Sequence, residues 1–140
     1  MAGLIDISQL GDARLQRKLH SLGNKIEKKI VRRALRTAAK VVLQAAKARV
    51  PVDTGALKKG LKVRATKRSR TIIGVHIRTP TRAELGIHPD DPGYYPAVIE
   101  YGAEGHAAQP FLRPAMDEAR DKARQVIADS IRAGIAEAVR

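Results

Sequence analysis

Residues 49–57 read Arg-Val-Pro-Val-Asp-Thr-Gly-Ala-Leu, and residues 94–116 read Tyr-Tyr-Pro-Ala-Val-Ile-Glu-Tyr-Gly-Ala-Glu-Gly-His-Ala-Ala-Gln-Pro-Phe-Leu-Arg-Pro-Ala-Met. Both stretches are conformational punctuation. In the first, Pro51 ends a helix, because the residue before a proline is driven toward extended geometry. Thr54 offers a hydroxyl to the amides two or three residues on, and Asp53 adds negative charge beside them. A short helical turn from Gly55 to Lys59 follows. In the second, Ala97 to Tyr101 reads as a third strand or one helical turn, with strand preferred. Gly102 and Gly105 flank a tight connection. Pro110 and Pro114 bracket the start of a final helix, where proline is tolerated.

Upstream of the first stretch, Lys25 to Arg49 is the clearest helix. Ile26, Ile30, Ala34, Ala38, Val41, Ala45 and Ala48 recur at helical spacing, and Leu35, Val42 and Ala46 widen the apolar stripe. Its alanines imply close packing. Lys25, Lys28, Lys29, Arg32, Arg33, Arg36 and Lys40 cover much of the rest of its first half. Gly23-Asn24 separates it from an earlier helix carrying Leu15, Leu19 and Leu22, for which Asp12 is the candidate cap. Ser21 or Asn24 is the candidate cap for the long helix.

Downstream, apolar and polar residues alternate from Leu61 to Thr66 and again from Ile73 to Arg78. This predicts two half-buried strands. Lys67, Arg68 and Arg70 make a basic hairpin tip between them. Residues 79–93 form a long loop with Pro80, Pro89 and Pro92, expected to be irregular and either functional or mobile. The last helix presents Leu112, Met116, Ala119, Ala123, Val126, Ile127, Ile131 and Ile135 as its apolar face. Asp117, Glu118 and Asp121 lie in its first turns, favourable with the helix dipole.

The chain of 140 residues fits one domain, with 1–24 as an N-terminal segment and 79–93 as a long loop. The elements predict an α+β fold: a small antiparallel sheet of about three strands packed against a long helix in the N-terminal half and a C-terminal helix. With one Phe and no Trp, the core must be aliphatic. No cysteine is present, which excludes a disulfide framework and thiolate metal ligation and fits a reducing compartment. No apolar run approaches the ~20 residues a membrane span needs. The residues from Met1 to Asp6 lack the features of a signal peptide, so none is expected.

Charge is strongly partitioned. The formal net charge is +13. Residues 1–50 hold twelve Lys/Arg against three Asp/Glu, and residues 51–82 hold nine against one. Residues 83–140 hold six against ten. Three readings stay open: phosphate-led nucleic-acid binding, self-assembly of a basic face on a neighbour's acidic face, and a solvated surface. For the basic tip at Lys67, Arg68 and Arg70, contact with DNA or an acidic partner stands against a hairpin tip where charge costs least. Aromatic stacking groups are nearly absent, so any DNA binding would be sequence-neutral.

Reaction chemistry finds few candidates. His20, His76, His88 and His106 are scattered singly, away from ligand spacing. Asp90 and Asp91 lie between prolines, as in a solvated turn. The glycines form no phosphate-cradling motif, and no serine has a nucleophile-elbow surround. Phe111 reads as a core anchor rather than a ligand platform. No catalytic residue, cofactor or metal is expected.

From about Lys25 to the end the chain resembles a family of phage tail components, that of the tenth gene product of HK97-type long-tailed phages, usually read as head–tail joining or tail-completion proteins. The matching pieces are Val50-Pro51-Val52-Asp53-Thr54-Gly55-Ala56-Leu57 after a long basic helix, a hairpin, Tyr95-Pro96-Ala97-Val98-Ile99-Glu100-Tyr101-Gly102, and Gln109-Pro110-Phe111-Leu112-Arg113-Pro114-Ala115. Glu84 to Gly93 is extra material relative to the usual pattern, and Ala103 stands where Thr is frequent. The resemblance implies a structural, non-enzymatic assembly protein at the virion neck, built in the host cytoplasm. Its implied partners are copies of itself in a ring, often of six, a head-completion or connector protein, a tail terminator or tail tube protein, and DNA in the lumen. It also favours Glu100 and Tyr101 as a subunit contact over an edge-strand position facing water. Lys67, Arg68, Arg70, Asp117, Glu118 and Asp121 are the other interface candidates.

Overall fold

The computed structural model describes residues 13–51, 55–67, 69, 72–88, 90 and 95–139, with the backbone alone at Tyr95. Asp12, Asp53, Thr54, Arg68 and Arg70 lie outside these residues, so the two caps and most of the basic tip have no structural account.

The chain runs α1 (Ala13–Ser21), α2 (Asn24–Arg49), α3 (Ala56–Gly60), β1 (Lys62–Ala65), β2 (Val75–Arg78), α4 (Tyr95–Tyr101) and α5 (Leu112–Ala138). Neither expected side-chain cap forms on α2. Gly23 occupies the N-cap position, and its carbonyl accepts the amide of Glu27 at 3.0 Å. Ser21 instead donates back to the Lys18 carbonyl, and Asn24 is already helical. At the other end Val50 is extended (ψ 131°), as Pro51 requires.

The core is the seam between α2 and α5. Ala34, Ala38, Ala46, Ala115, Ala119 and Ala123 are buried along it, interleaved with Ile30, Val42, Ile127 and Ile131. Small residues let two helices approach closely, and the branched residues fill the space between. The helices run antiparallel: Arg33 near the start of α2 meets Glu137 near the end of α5, and Arg49 meets Glu118. Leu15 and Leu19 of α1 fold back onto the same core. A second cluster, Leu43, Val50, Leu57, Leu61, Phe111 and Ala115, closes the end of the seam where α2 stops and α5 begins. Phe111 is fully buried there, the core anchor its composition predicts.

The sheet holds two strands among the described residues, β1 antiparallel to β2, with Val63 opposite Ile77 and Arg64 opposite His76. The expected third strand is instead the helix α4. Val63 and Ile77 turn toward the helices and pack on the core. The alternation places Lys62, Arg64, His76 and Arg78 on the other face.

The segment after β2 is less irregular than its prolines suggest. Pro80 is fully buried, and residues 82–86 form a turn. The Thr81 amide donates to the Glu84 carboxylate at 2.7 Å, and the Glu84 amide donates to the Thr81 hydroxyl at 3.3 Å. This is the reciprocal arrangement of a capping box. Arg78 grips the same carboxylate at 2.9 and 3.0 Å. Backbone donation from Thr81 is the main cause that holds the Glu84 carboxyl below its ordinary range. The Glu84 side of the extra material is thus fastened to β2.

Gly134 gives the seam a test. A Cβ at this position would lie 2.8 Å from Cγ2 and 3.0 Å from Cγ1 of Ile30. Those carbons branch at Cβ and are held stiffly in a helix. Gly134→Ala gains about 1 kcal/mol of helix propensity but overpacks the seam at a cost of about 1–3 kcal/mol. The expected net effect in urea denaturation is a loss of stability, about 1 kcal/mol. A stabilised variant would show that Ile30 yields and that the seam is looser than described.

Candidate functional site

The helix α5 begins Phe-Leu-Arg-Pro, with no Ser, Thr, Asp or Asn to cap it. Phe111 occupies the N-cap position and makes no side-chain cap. A helix start leaves its first amides without intrahelical acceptors, and here they are buried or half-buried. Their acceptor comes from eleven to thirteen residues upstream. One Glu100 carboxylate oxygen accepts the amides of Phe111 at 2.8 Å and Leu112 at 3.0 Å. The other accepts the amide of Arg113 at 3.1 Å and its Nε at 3.1 Å. The next residue, Pro114, has no amide to satisfy. One carboxylate therefore completes the whole helix start.

The approach to this cap is equally constrained. α4 carries Glu100 in its last turn, and Glu100 is 3% exposed. The chain then reverses at Gly102 (φ 77°), where a Cβ would sit 3.0 Å from the Ala108 amide nitrogen and 3.0 Å from the His106 carbonyl oxygen. Ala103 and His106 bridge the turn with paired backbone bonds, and the Gln109 amide donates to the Ile99 carbonyl at 2.7 Å. Arg113 closes the corner from outside. Its Nη2 donates to the Glu100 carbonyl at 3.0 Å, and its guanidinium lies 5.1 Å from the centre of the Tyr101 ring. That ring is 68% exposed.

Burial alone would raise the Glu100 carboxyl, but donation from the Leu112, Phe111 and Arg113 amides and the Arg113 side chain outweighs it. The group is held below its ordinary value of 4.5. Neither sequence reading of Glu100 describes this placement. It sits in a helix rather than an edge strand, and its carboxylate is consumed inside the chain. Tyr101 is the member of the pair that remains at the surface. Arg113 escaped the sequence reading. Its signal was the uncapped Phe-Leu-Arg-Pro start, which requires a distant acceptor.

The other interface candidates are dispersed. Lys67 is exposed beyond β1. Glu118 is paired with Arg49 of α2, whose Nε lies at 3.0 Å, and Asp117 lies 3.5 Å from Arg120. Asp121 is exposed and has no ion pair among the described residues. Part of the acidic C-terminal region thus meets the basic α2 within one chain, through Arg49–Glu118 and Arg33–Glu137. Gly55, at φ 81°, precedes α3, and Pro51 follows the end of α2. Pro110 precedes Phe111 on the surface, and Pro114 lies in the first turn of α5. Among the described residues no group of three His, Cys, Asp or Glu is placed to hold a metal ion, and no helix is long and apolar enough to cross a membrane.

The Pro51 helix stop, the hairpin and the α4–Gly102 corner, in this order, are what the family resemblance requires. The family model described as "Bacteriophage HK97-gp10, putative tail-component" matches residues 13–102, and the chain belongs to that family. The match runs from α1 through Gly102, so the α5 start and the amides that Glu100 receives lie beyond it. No curated protein and no solved structure matches the chain significantly. The family makes the protein a phage tail component with a structural role.

Two variants test the corner. Glu100→Ala leaves the Phe111, Leu112 and Arg113 amides without an acceptor, while the half-exposed Arg113 side chain can turn to water, and the expected loss is about 2–4 kcal/mol, set by the unsatisfied amides. Glu100→Gln keeps the volume but must aim an NH2 at donors in either rotamer, so it also destabilises. Because the folded carboxyl is depressed, its contribution is fully present above the ordinary value of 4.5 and lost as pH falls through the folded value. The stability gap between wild type and Glu100→Gln should narrow on acidification below pH 4.5. A gap independent of pH down to the acid transition would contradict the ionised cap.

Proposed function

We propose that this tail component acts at the head–tail interface of a long-tailed phage or prophage, where copies associate into a closed ring that completes the tail and receives the head connector. Membership of the tail-component family over residues 13–102 is the observation that carries this reading. The geometry supports a structural rather than a catalytic role. Gly102, which has a positive φ, and the buried Glu100 carboxylate both serve to hold the corner between α4 and α5.

A ring needs a surface that meets a different surface on the next copy. The two-stranded sheet supplies one, because neither β1 nor β2 pairs with a third strand among the described residues. Open sheet edges are standing templates for another chain. Residues 81–88 and the exposed Tyr101 at the corner are the other surfaces offered to neighbours. Six copies is the expected ring number. A connector or head-completion protein would stack on one side, and a tail terminator or tail tube protein on the other. The protein would then reside in the virion neck.

Deletion of the gene from an inducible prophage is expected to leave filled heads and separate tails, with joining restored when purified protein is added. Light scattering and negative-stain imaging of purified protein with tails should show discrete rings at one tail end. Infectious, joined particles formed without the protein would overturn the proposal.

A further inference from the structure

The first half of α2 carries an unneutralised basic ridge. Lys25, Lys29, Arg32, Arg36 and Lys40 are all exposed. Their spacings of four, three, four and four residues keep them on one narrow face of a helix. The ridge is straight and about 22 Å long at 1.5 Å per residue. No acidic partner reaches any of the five among the described residues. The neighbouring Arg33 lies off the ridge and is bound to Glu137.

A surface needed only for solubility would look different, and α5 supplies the comparison. Its outer face mixes signs and pairs them locally: Asp117 with Arg120 and Asp129 with Arg132. The α2 ridge instead sets like charges at i and i+4, an arrangement that destabilises a helix. The basic hairpin face is also less free, since Glu84 neutralises Arg78 there.

A second copy of the chain is a poor partner for the ridge. Glu27, Glu84, Asp117, Glu118, Asp129 and Glu137 are already engaged with basic groups of their own chain. Glu100 is buried, and Asp90 lies beside His88. Asp121 and Glu104 are the exposed acids left without an ion pair among the described residues. Among the described residues, two scattered carboxylates do not match a line of five cations. Duplex nucleic acid does, with one charge per about 1.7 Å of axis. Arg32 and Arg36 at the middle of the ridge suit phosphate, which a guanidinium binds in bidentate fashion. We propose that the Lys25–Lys40 ridge of α2 is a binding surface for the phosphate backbone of double-stranded DNA, indifferent to sequence. The surface requires no ring and goes beyond the assembly role.

The test uses full-length protein, two duplexes of about 20 base pairs with unrelated sequences, and anisotropy titrations over a range of salt. Wild type should bind both equally. The variant Lys29→Gln/Arg32→Gln/Arg36→Gln/Lys40→Gln should lose at least about tenfold in affinity. Its slope of log affinity against log salt should become shallower by about three to four, near 0.9 for each phosphate no longer neutralised. Gln has nearly the helix propensity of Lys and Arg, so the variant should remain folded by circular dichroism. A charge-matched variant, Lys58→Gln/Lys59→Gln/Lys62→Gln/Arg64→Gln, controls for net charge and should keep most of the affinity and slope. Equal losses in the two variants would overturn the ridge as a site and leave only diffuse charge. Undiminished DNA binding by the ridge variant, with self-association abolished, would overturn it in favour of a protein neighbour.

Discussion

The donors at the start of α5 converge on the Glu100 carboxylate. A helix as long as α5 must begin somewhere, and its first amides need acceptors. With hydrophobic residues at its start, α5 has no local answer. The answer is a carboxylate delivered by α4, and four donors converge on its two oxygens. This fixes the position of Phe111, which in turn plugs the end of the α2–α5 seam. The corner also fixes the direction in which α5 leaves, and hence which of its faces meets α2. Polar geometry and apolar packing are therefore one device: the carboxylate holds the helix start that positions the buried ring.

That device explains why glycine and proline recur in this stretch. Gly102 has a positive φ and backbone atoms 3.0 Å from where a Cβ would stand, so the chain can reverse tightly only without a side chain. Pro114 removes the one amide of the first turn that the carboxylate does not reach. These residues carry no reaction chemistry. They let a seven-residue helix and a twenty-seven-residue helix share a corner.

Much of this fold was legible in the sequence, for identifiable reasons. The α2 and α5 boundaries follow from long helical periodicity and from prolines, which act locally. Leu61 to Thr66 and Ile73 to Arg78 alternate cleanly, and strands form within both spans. The failures are where a residue's state depends on something remote. Ala97 to Tyr101 is short and apolar, and periodicity cannot separate strand from helix at that length. It is a helix, and Glu100 in its last turn reaches the start of α5, a contact that local periodicity cannot show. The α2 N-terminus offered Ser21 and Asn24, but Gly23 at φ 85° takes the N-cap position instead. The Thr81–Glu84 box was written in the sequence as Thr-x-x-Glu, but the prolines around it drew the reading toward an irregular loop.

The charge partition takes on detail once side chains are placed. Read as totals, a basic two-thirds and an acidic third suggest that the halves of neighbouring molecules attract. The fold brings those halves together inside one chain, because α2 and α5 are antiparallel and their flanking residues meet. Arg33 and Arg49 are matched by Glu137 and Glu118 at opposite ends of the same seam. Exposed pairs of this kind contribute little stability, about 0–1 kcal/mol each, but they change what the surface offers to others. Once they are made, few carboxylates of the acidic third stay free among the described residues, while the first half of α2 keeps its line of five exposed cations. Other exposed cations, Lys58, Lys59, Lys62 and Arg64 among them, lie elsewhere on the surface, so what sets the ridge apart is the alignment of its five charges along one helix face rather than possession of the whole excess.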